Sequence, residues 1–382
     1  MRVLFVSGEY PPMTGGVGAY TAELGKALAA LGTEVSVFTS QMADAGENSL
    51  EYPQSYPHAH RWGWRTMGKI ADLAHEISAD WVHVQYQTAA FHMNPAINFA
   101  PILWKRRGLR VAWTYHDLLI PYLFPKAGDR LRRWVTEQPT HSAELTIVTN
   151  EGDRRQLQGR ASTLHKIPIG SNIQGQLLDA DARWRRRAQR GYDDDCLVIG
   201  YFGFLNRSKG GMTLIDTLGE LVRAGRNARL LMIGERVGDS DATNDAYLAE
   251  VEARIAELDL GHRVQWTGRQ PDAEVGADLN AVDVLLMPYT DGVSLRRGTL
   301  MAGLVNGCAI VTTTPQAPLP ELVDGRDLLL VPALDTAAAA TAVMRIAADD
   351  DLAARLRASA RQAAQQFSWS AIAEKHRALY VS

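Results

Sequence analysis

The stretch Ala281–Thr314, AVDVLLMPYTDGVSLRRGTLMAGLVNGCAIVTTT, gathers the residues best suited to chemistry. Asp291, Ser294, Arg296 and Arg297 share one polar loop, Tyr289–Arg297, and a helix-like run follows it and stops at Asn306-Gly307. Two adjacent arginines beside the free N–H groups of a helix start suit a bound anion. The competing reading is a solvated loop whose arginines pair with surface acids. Apolar, strand-like runs flank the loop and helix: Val282–Met287 before, Cys308–Thr312 after. Such a strand–loop–helix–strand unit stacks into a parallel sheet. Its loop joins a strand's carboxyl end to a helix's amino end, the place where open α/β sheets bind ligands.

A second pair of cations, Arg207 and Lys209, follows the strand-like run Leu197–Phe202 directly. Two cationic groups at strand ends of one sheet read as ligands of a diphosphate; the alternative is a surface pair at a helix start. The loop Gly15-Gly16-Val17-Gly18 lets backbone approach a ligand closely, with Gly16 and Gly18 as the contacts. It is not a dinucleotide fingerprint, because the third glycine is missing and the next strand ends in Thr39 rather than an acid. His116 ends the run Val111–Tyr115 and precedes Asp117, a place to touch a transferred group or its acceptor, or to serve as a structural histidine. Tyr86 and Gln87 end a neighbouring run and would line the acceptor side. Gly268 and Arg269 follow Val264–Trp266 and would meet a nucleotide base.

Metal chemistry finds little support. D-x-D matches occur at Asp179–Asp181, Asp193–Asp195, Asp239–Asp241 and Asp349–Asp351, and none directly follows an apolar strand. His58 and His60 sit in a proline-bounded stretch without a third ligand. No metal and no resident cofactor are expected.

The elements that must position these residues are legible from apolar periodicity. In the first half, strands are predicted at Arg2–Ser7, Glu34–Thr39, Trp81–Gln85, Val111–Tyr115, Glu144–Thr149 and Lys166–Ile169, with a helix over Tyr20–Leu31. A fresh series begins with Leu197–Phe202 and a helix over Met212–Ala224. It continues with Arg229–Ile233, Val264–Trp266, Val282–Met287, Ala309–Thr312 and Leu328–Val331. Each series opens strand–glycine loop–helix, which predicts two doubly wound α/β domains. The domains are expected at 1–173 and 196–366. The arginine-rich 174–195 would connect them, and a tail helix within Phe367–Tyr380 would close the chain.

Composition fits this plan. A chain of 382 residues, 46% hydrophobic, is too long for one ordinary core. A formal net charge of −3 provides no basic field for nucleic acid. Cys196 and Cys308 lie in or beside apolar runs and read as buried thiols. The opening MRVLFVSGEYPP is too short for a signal peptide, and no run approaches the roughly 18 apolar residues of a membrane span, so a soluble, cytoplasmic protein is expected. Two basic runs, Lys126–Arg133 and Arg183–Arg190, read as solvated helix faces, with a peripheral membrane contact as the alternative.

Several segments together resemble the retaining glycosyltransferases of glycosyltransferase family 4. PPMTGGVGAYTAELGKALAALGTEVSVFT is similar to that family's glycine loop, first helix and second strand, and TYHDL to its central strand end with a histidine. IPIGSNI, GYFGFLNRSKGG, PELVDGRDLLLVP and FSWSAIAEKHRALY resemble the exit from the first domain, the start of the second, its closing strand and the tail. The resemblance spans nearly the whole chain. It implies the GT-B fold, two Rossmann-like doubly wound parallel-sheet domains facing across a cleft. The second domain would hold a nucleotide-diphosphate sugar as co-substrate, and the first a glycan, lipid or small-molecule acceptor. The final helix would return to the first domain. The resemblance also places Glu321, in PELVDG, near the nucleotide ribose.

Two departures stand out. The family usually carries a spaced pair of glutamates at the donor loop. Counted back from Asn306-Gly307 those positions are Ser294 and Ala302; counted forward from Pro288 they are Asp291 and Thr299. The arginine often found after the second domain's first glycine is Phe204. A subset of such enzymes carries a similar aspartate–glycine–serine–arginine–arginine loop. The leading reading is therefore a metal-independent, retaining transferase of the hexosyl type, of the kind that serves polysaccharide biosynthesis. In it, Asp291, Arg296, Arg297 and His116 serve the chemistry and Ser294 the donor. A catalytically inactive binding homologue, and an epimerase or hydrolase acting on a nucleotide sugar alone, are the alternatives.

Overall fold

A computed structural model of the chain describes residues 1–13, 15–44, 53–121, 123, 125–236 and 243–382. The chain forms two compact units, Met1–Asn172 with Phe367–Ser382, and Ile173–Gln366. Both are built the same way. Apolar β-branched runs make parallel strands covered on both faces, and amphipathic helices cross over between them.

Unit 1 runs β1 (Arg2–Ser7), α1 (Gly16–Ala30), β2 (Glu34–Ser40), β3 (Gln54–Ala59), α2 (Trp64–Glu76) and β4 (Trp81–Tyr86). It continues with α3 (Ala96–Arg106), β5 (Val111–Tyr115), α4 (Gly128–Glu137), α5 (Pro139–Ser142), β6 (Leu145–Val148), α6 (Glu151–Leu157) and β7 (Leu164–Lys166). The seven strands lie in the order β3-β2-β1-β4-β5-β6-β7. Its core is a set of interlocking aromatic and aliphatic side chains, among them Trp62, Trp104, Trp113 and Tyr115 on one face and Phe5, Tyr20 and Leu24 on the other.

Unit 2 runs α7 (Ala180–Gln189), β8 (Leu197–Phe202), α8 (Gly211–Arg223), β9 (Ala228–Ile233), α9 (Thr243–Glu257), β10 (Val264–Trp266) and α10 (Asp272–Ala281). Then come β11 (Val284–Met287), α11 (Gly298–Val305), β12 (Ile310–Thr313), β13 (Leu329–Val331), α12 (Thr336–Ala347) and α13 (Asp350–Ala364). Its six strands lie in the order β10-β9-β8-β11-β12-β13. The last helix, α14 (Trp369–Val381), packs in unit 1, where Ile372, Ala373, His376 and Tyr380 are buried and Trp369 donates its indole N–H to Ser171 O at 2.8 Å.

Four expectations need correction. The stretch 174–195 is not a free connection. It carries α7, whose Arg186 and Arg190 meet the fully buried carboxylate of Asp278 at 2.6 and 2.5 Å. Arg183 and Arg187 meet Asp283 at 2.6 and 3.0 Å. These arginines are therefore not a solvated face; they tie α7 to α10 and the strand after it. The strand expected over Lys166–Ile169 is β7, two residues earlier in its start and ended at Lys166, where the paired register with β6 stops. β3 was not expected at all. It is an edge strand of polar sequence, QSYPHA, and an edge tolerates Pro57. It also takes His58 out of the expected loop; His58 and His60 line a cavity of about 490 Å³ with Lys69, Asp72 and Glu76. Two D-x-D aspartates have a plain structural use: Asp179 and Asp349 cap α7 and α13, accepting from Ala182 N–H and Leu352 N–H. Asp239–Asp241 lies outside the described residues. Both cysteines are buried free thiols.

Candidate active site

In unit 2 the strand order reverses between β8 and β11, so the loops after these strands flank the switch point. The loop after β8 turns through a short 3₁₀ segment, Arg207–Lys209, capped by Asn206. Gly210 follows with φ +72, and a Cβ there would stand 1.8 Å from Pro288 O. Only glycine fits, and this close approach locks the β8 loop against the β11 loop. Thr290 N–H donates to Ser208 O at 2.9 Å across the same seam. Lys209 and the arginine loop are thereby brought together.

Arg297 is mostly buried. Its guanidinium donates to Asp291 Oδ1, reaches Ser208 Oγ at 3.4 Å, and lies 4.6 Å from the Tyr289 ring centroid. Arg296 donates to the other oxygen, Asp291 Oδ2, at 3.1 Å. Both oxygens of Asp291, expected to serve the chemistry, hold the two arginines. Among the described residues Arg297 Nε and Ser294 Oγ are buried without a hydrogen-bond partner. A buried polar atom left unpaired is costly, and two at one strand edge beside a buried lysine mark a place built for a polar ligand. Burial, with Arg297 close by, pushes Lys209 down to about 8.

Arg207 does not join this group. Its side chain is 71% exposed and paired with Glu250, with the guanidinium over Tyr247. This placement matches the surface-pair alternative for Arg207. Gly268 ends β10 with φ +67 and bridges to Gly234 at the end of β9, on the same edge of the sheet. Glu321 sits in the β12–β13 connection, where its carbonyl accepts from Gln366.

Unit 1 reverses strand order between β1 and β4. His116 extends the β5 ladder, donating its N–H to Tyr86 O at 2.9 Å. Its Nε2 meets Gln85 Oε1 at 3.1 Å, and its ring stands edge-on to Tyr20 with centroids 4.6 Å apart. Burial, reinforced by the nearby His376, lowers His116 to about 3, so the ring is neutral. Gln87 donates to Asp117 Oδ2 at 3.1 Å. Tyr86 is a correction: it is 2% exposed, stacked on Phe91 and packed on Trp113, so it belongs to the core. Gly16 is open, but Gly18 N–H is taken. With Val17 N–H it donates to the carboxylate of Glu9, at 3.1 and 2.9 Å. Sequence reading missed Glu9. The available signal was an acid between a strand end and a glycine loop.

Among the described residues no group of three His, Cys, Asp or Glu could hold a metal ion, and no helix is long and apolar enough to cross a membrane.

A doubled, doubly wound parallel sheet with a cationic switch point in its second half defines the GT-B class. Comparison with known proteins agrees. HepE of Anabaena, solved in complex with UDP and glucose, superposes with a TM-score of 0.77 at 17% identity, covering 100% of this chain and 99% of that one. The model of Glycosyltransferase Family 4 matches residues 14–173, and that of Glycosyl transferases group 1 matches residues 196–349. A D-inositol 3-phosphate glycosyltransferase of Corynebacterium jeikeium is 25% identical over 92% of this chain and 77% of its own. A phosphatidyl-myo-inositol mannosyltransferase of Mycolicibacterium smegmatis is 24% identical over 100% and 93%. The chain belongs to this glycosyltransferase family.

Proposed function

We propose that the chain is a retaining, metal-independent glycosyltransferase that moves a sugar from a nucleotide-diphosphate sugar to a sugar- or cyclitol-containing acceptor. The observation that carries this reading is the set Lys209, Arg297 Nε and Ser294 Oγ: a buried cation and two unpaired polar atoms at the switch point of unit 2. Breaking the bond to a diphosphate builds negative charge on the leaving group. Fixed cations and donors aimed at it stabilise the transition state without a metal ion. Lys209 and Arg297 hold the leaving diphosphate, with Arg296 beside them. Asp291 keeps both arginines aimed. Ser294 binds a donor oxygen, Gly268 faces the base, and Glu321 the ribose. In unit 1, neutral His116 takes or gives a hydrogen bond to a sugar ring, Gln87 meets the acceptor, and the open backbone of Gly16 borders the same unit's crevice.

The acceptor reading draws on the two relatives, whose names give an inositol phosphate and a phosphatidyl-inositol. We further propose a cytoplasmic enzyme with a peripheral membrane contact through α4 and its approach, where Leu119, Leu131 and Trp134 are exposed beside Lys126, Arg130 and Arg133. A nucleotide-sugar panel, screened by thermal shift and then by mass spectrometry for transfer, tests the reaction. The anomeric configuration of the product, read by NMR, tests retention. Nucleotide binding with no transfer across a broad acceptor panel would favour the inactive homologue.

A further inference from the structure

Two histidines on one face of the unit 1 sheet are held differently. His83 precedes Gln85 by two residues in β4, and Thr114 in β5 precedes His116 by two, with Gln85 opposite Thr114 in the register. Side chains two apart on a strand share a face. Both ring nitrogens of His83 are used by the protein: Nδ1 meets the Tyr380 hydroxyl, and Nε2 meets Thr114 Oγ1 at 2.8 Å. His116 uses one. Its Nε2 meets Gln85 Oε1 at 3.1 Å, and its Nδ1 bonds none of the described residues.

Gln85 is fully buried, yet that contact is its only side-chain hydrogen bond among the described residues, and its own Nε2 has no partner. A buried polar group left unpaired is destabilising, and an apolar residue of similar length would avoid the cost. What the amide does here is hold His116.

The rest of the surroundings leave the ring half-determined. His116 N–H donates to Tyr86 O, and the ring stands edge-on to Tyr20, which together fix where it lies. They do not decide which nitrogen turns inward, because the second side-chain torsion of a histidine is broad and roughly two-fold. Burial keeps the ring neutral, so one nitrogen carries a proton and the other a lone pair. An amide oxygen can only accept.

We propose that Gln85 is a positioning residue for His116. By accepting from Nε2–H it fixes the tautomer whose Nδ1 is a bare acceptor, so that unit 1 takes a sugar hydroxyl that donates and rejects a group that can only accept. The proposal rests on the reading of this chain as a sugar transferase in which His116 meets a sugar ring, and it adds which kind of partner that ring can bond.

The full chain and its Gln85→Met variant, similar in length and without the amide, test this. The first readout is long-range proton–nitrogen NMR of the His116 ring at neutral pH, with no ligand. The parent should carry its proton on Nε2. In Gln85→Met part of that proton's population should move to Nδ1, and the two nitrogen shifts should draw together. A parent protonated on Nδ1 would overturn the proposal, since the amide would then be turned round. So would a folded Gln85→Met with the parent's two shifts.

The second readout is transfer with the nucleotide sugar and acceptor that the parent uses, each also made with one ring hydroxyl replaced by fluorine, which cannot donate. Comparing the two proteins on the same analogue cancels fluorine's own effect on reactivity. At one ring position the parent's loss in kcat/KM should exceed that of Gln85→Met by about tenfold, the worth of one hydrogen bond. Equal losses at every position would overturn the selection of a donating hydroxyl. A parent that transfers no sugar loses the transferase reading, and its free-state tautomer still decides the role of Gln85.

Discussion

The two units solve the same topological problem with opposite charge. Each reverses strand order once, between β1 and β4 in unit 1 and between β8 and β11 in unit 2. Each places a glycine-bearing loop and a helix start at that point. In unit 1 the helix start is filled by the chain's own Glu9. In unit 2 the corresponding edge carries Lys209 and Arg297, and polar atoms of Arg297 and Ser294 are unpaired. A doubly wound unit is thus not an anion site by virtue of its fold. Which ligand it takes depends on what the loops put there.

The contrast is broken most severely at Arg297. Removing a donor that stabilises a developing charge typically costs on the order of 100- to 1,000-fold in rate. Arg297→Ala should show this in kcat, with folding intact by circular dichroism. A loss under tenfold would remove Arg297 from the charge-stabilising group.

Titration gives the next contrast, because the two units respond to opposite ends of the pH scale. Burial lowers His83 well below its usual range, His116 to about 3 and His376 to about 4. Their unfolded value is 6.5, so below it the unfolded state binds more protons than the folded one. Stability from these histidines is therefore present above pH 6.5 and falls as the pH drops towards the folded values. Hydrogen exchange of β4 and β5, corrected for intrinsic rate, should accelerate by about tenfold per pH unit per histidine in that window. His376→Phe should lessen the slope; an unchanged slope would mean that His376 is not buried neutral.

In unit 2 the sensitive side is alkaline. Lys209 titrates near 8 in the free protein, and a diphosphate needs it charged. Donor affinity should fall about tenfold from pH 7 to pH 9, by calorimetry, and Lys209→Arg should remove the dependence. A flat profile in the parent would place Lys209 away from the phosphates. The smallest effect belongs to Arg207. It is exposed and already paired with Glu250, so Arg207→Ala should change nucleotide affinity by no more than about twofold.

Much of this fold is legible in the sequence, and the failures have physical causes. β1, β5, β8 and β10 occupy the expected residues because apolar, β-branched runs leave little choice. β3 escapes because an edge strand need not be apolar. The charged run in α7 reads as a linker only while its partners are unseen: Asp278 and Asp283 lie far along the chain. Arg207 and Lys209 look equivalent in sequence, and it is Glu250, on another helix, that draws Arg207 to the surface. Tyr86 looks like a strand-end ligand, but a parallel sheet is covered on both faces, so alternation does not say which side chain is free. Glu9 is visible as an acid, yet its use depends on a turn that returns α1 to it.

The central claim is that unit 2 binds the charged substrate through Lys209. Calorimetry of a nucleoside diphosphate against the parent and Lys209→Ala tests it most directly. A charge-assisted bond to phosphate is worth roughly 1.5–3 kcal/mol, so Lys209→Ala should weaken binding about 10- to 150-fold. Equal affinity in the parent and Lys209→Ala would contradict it.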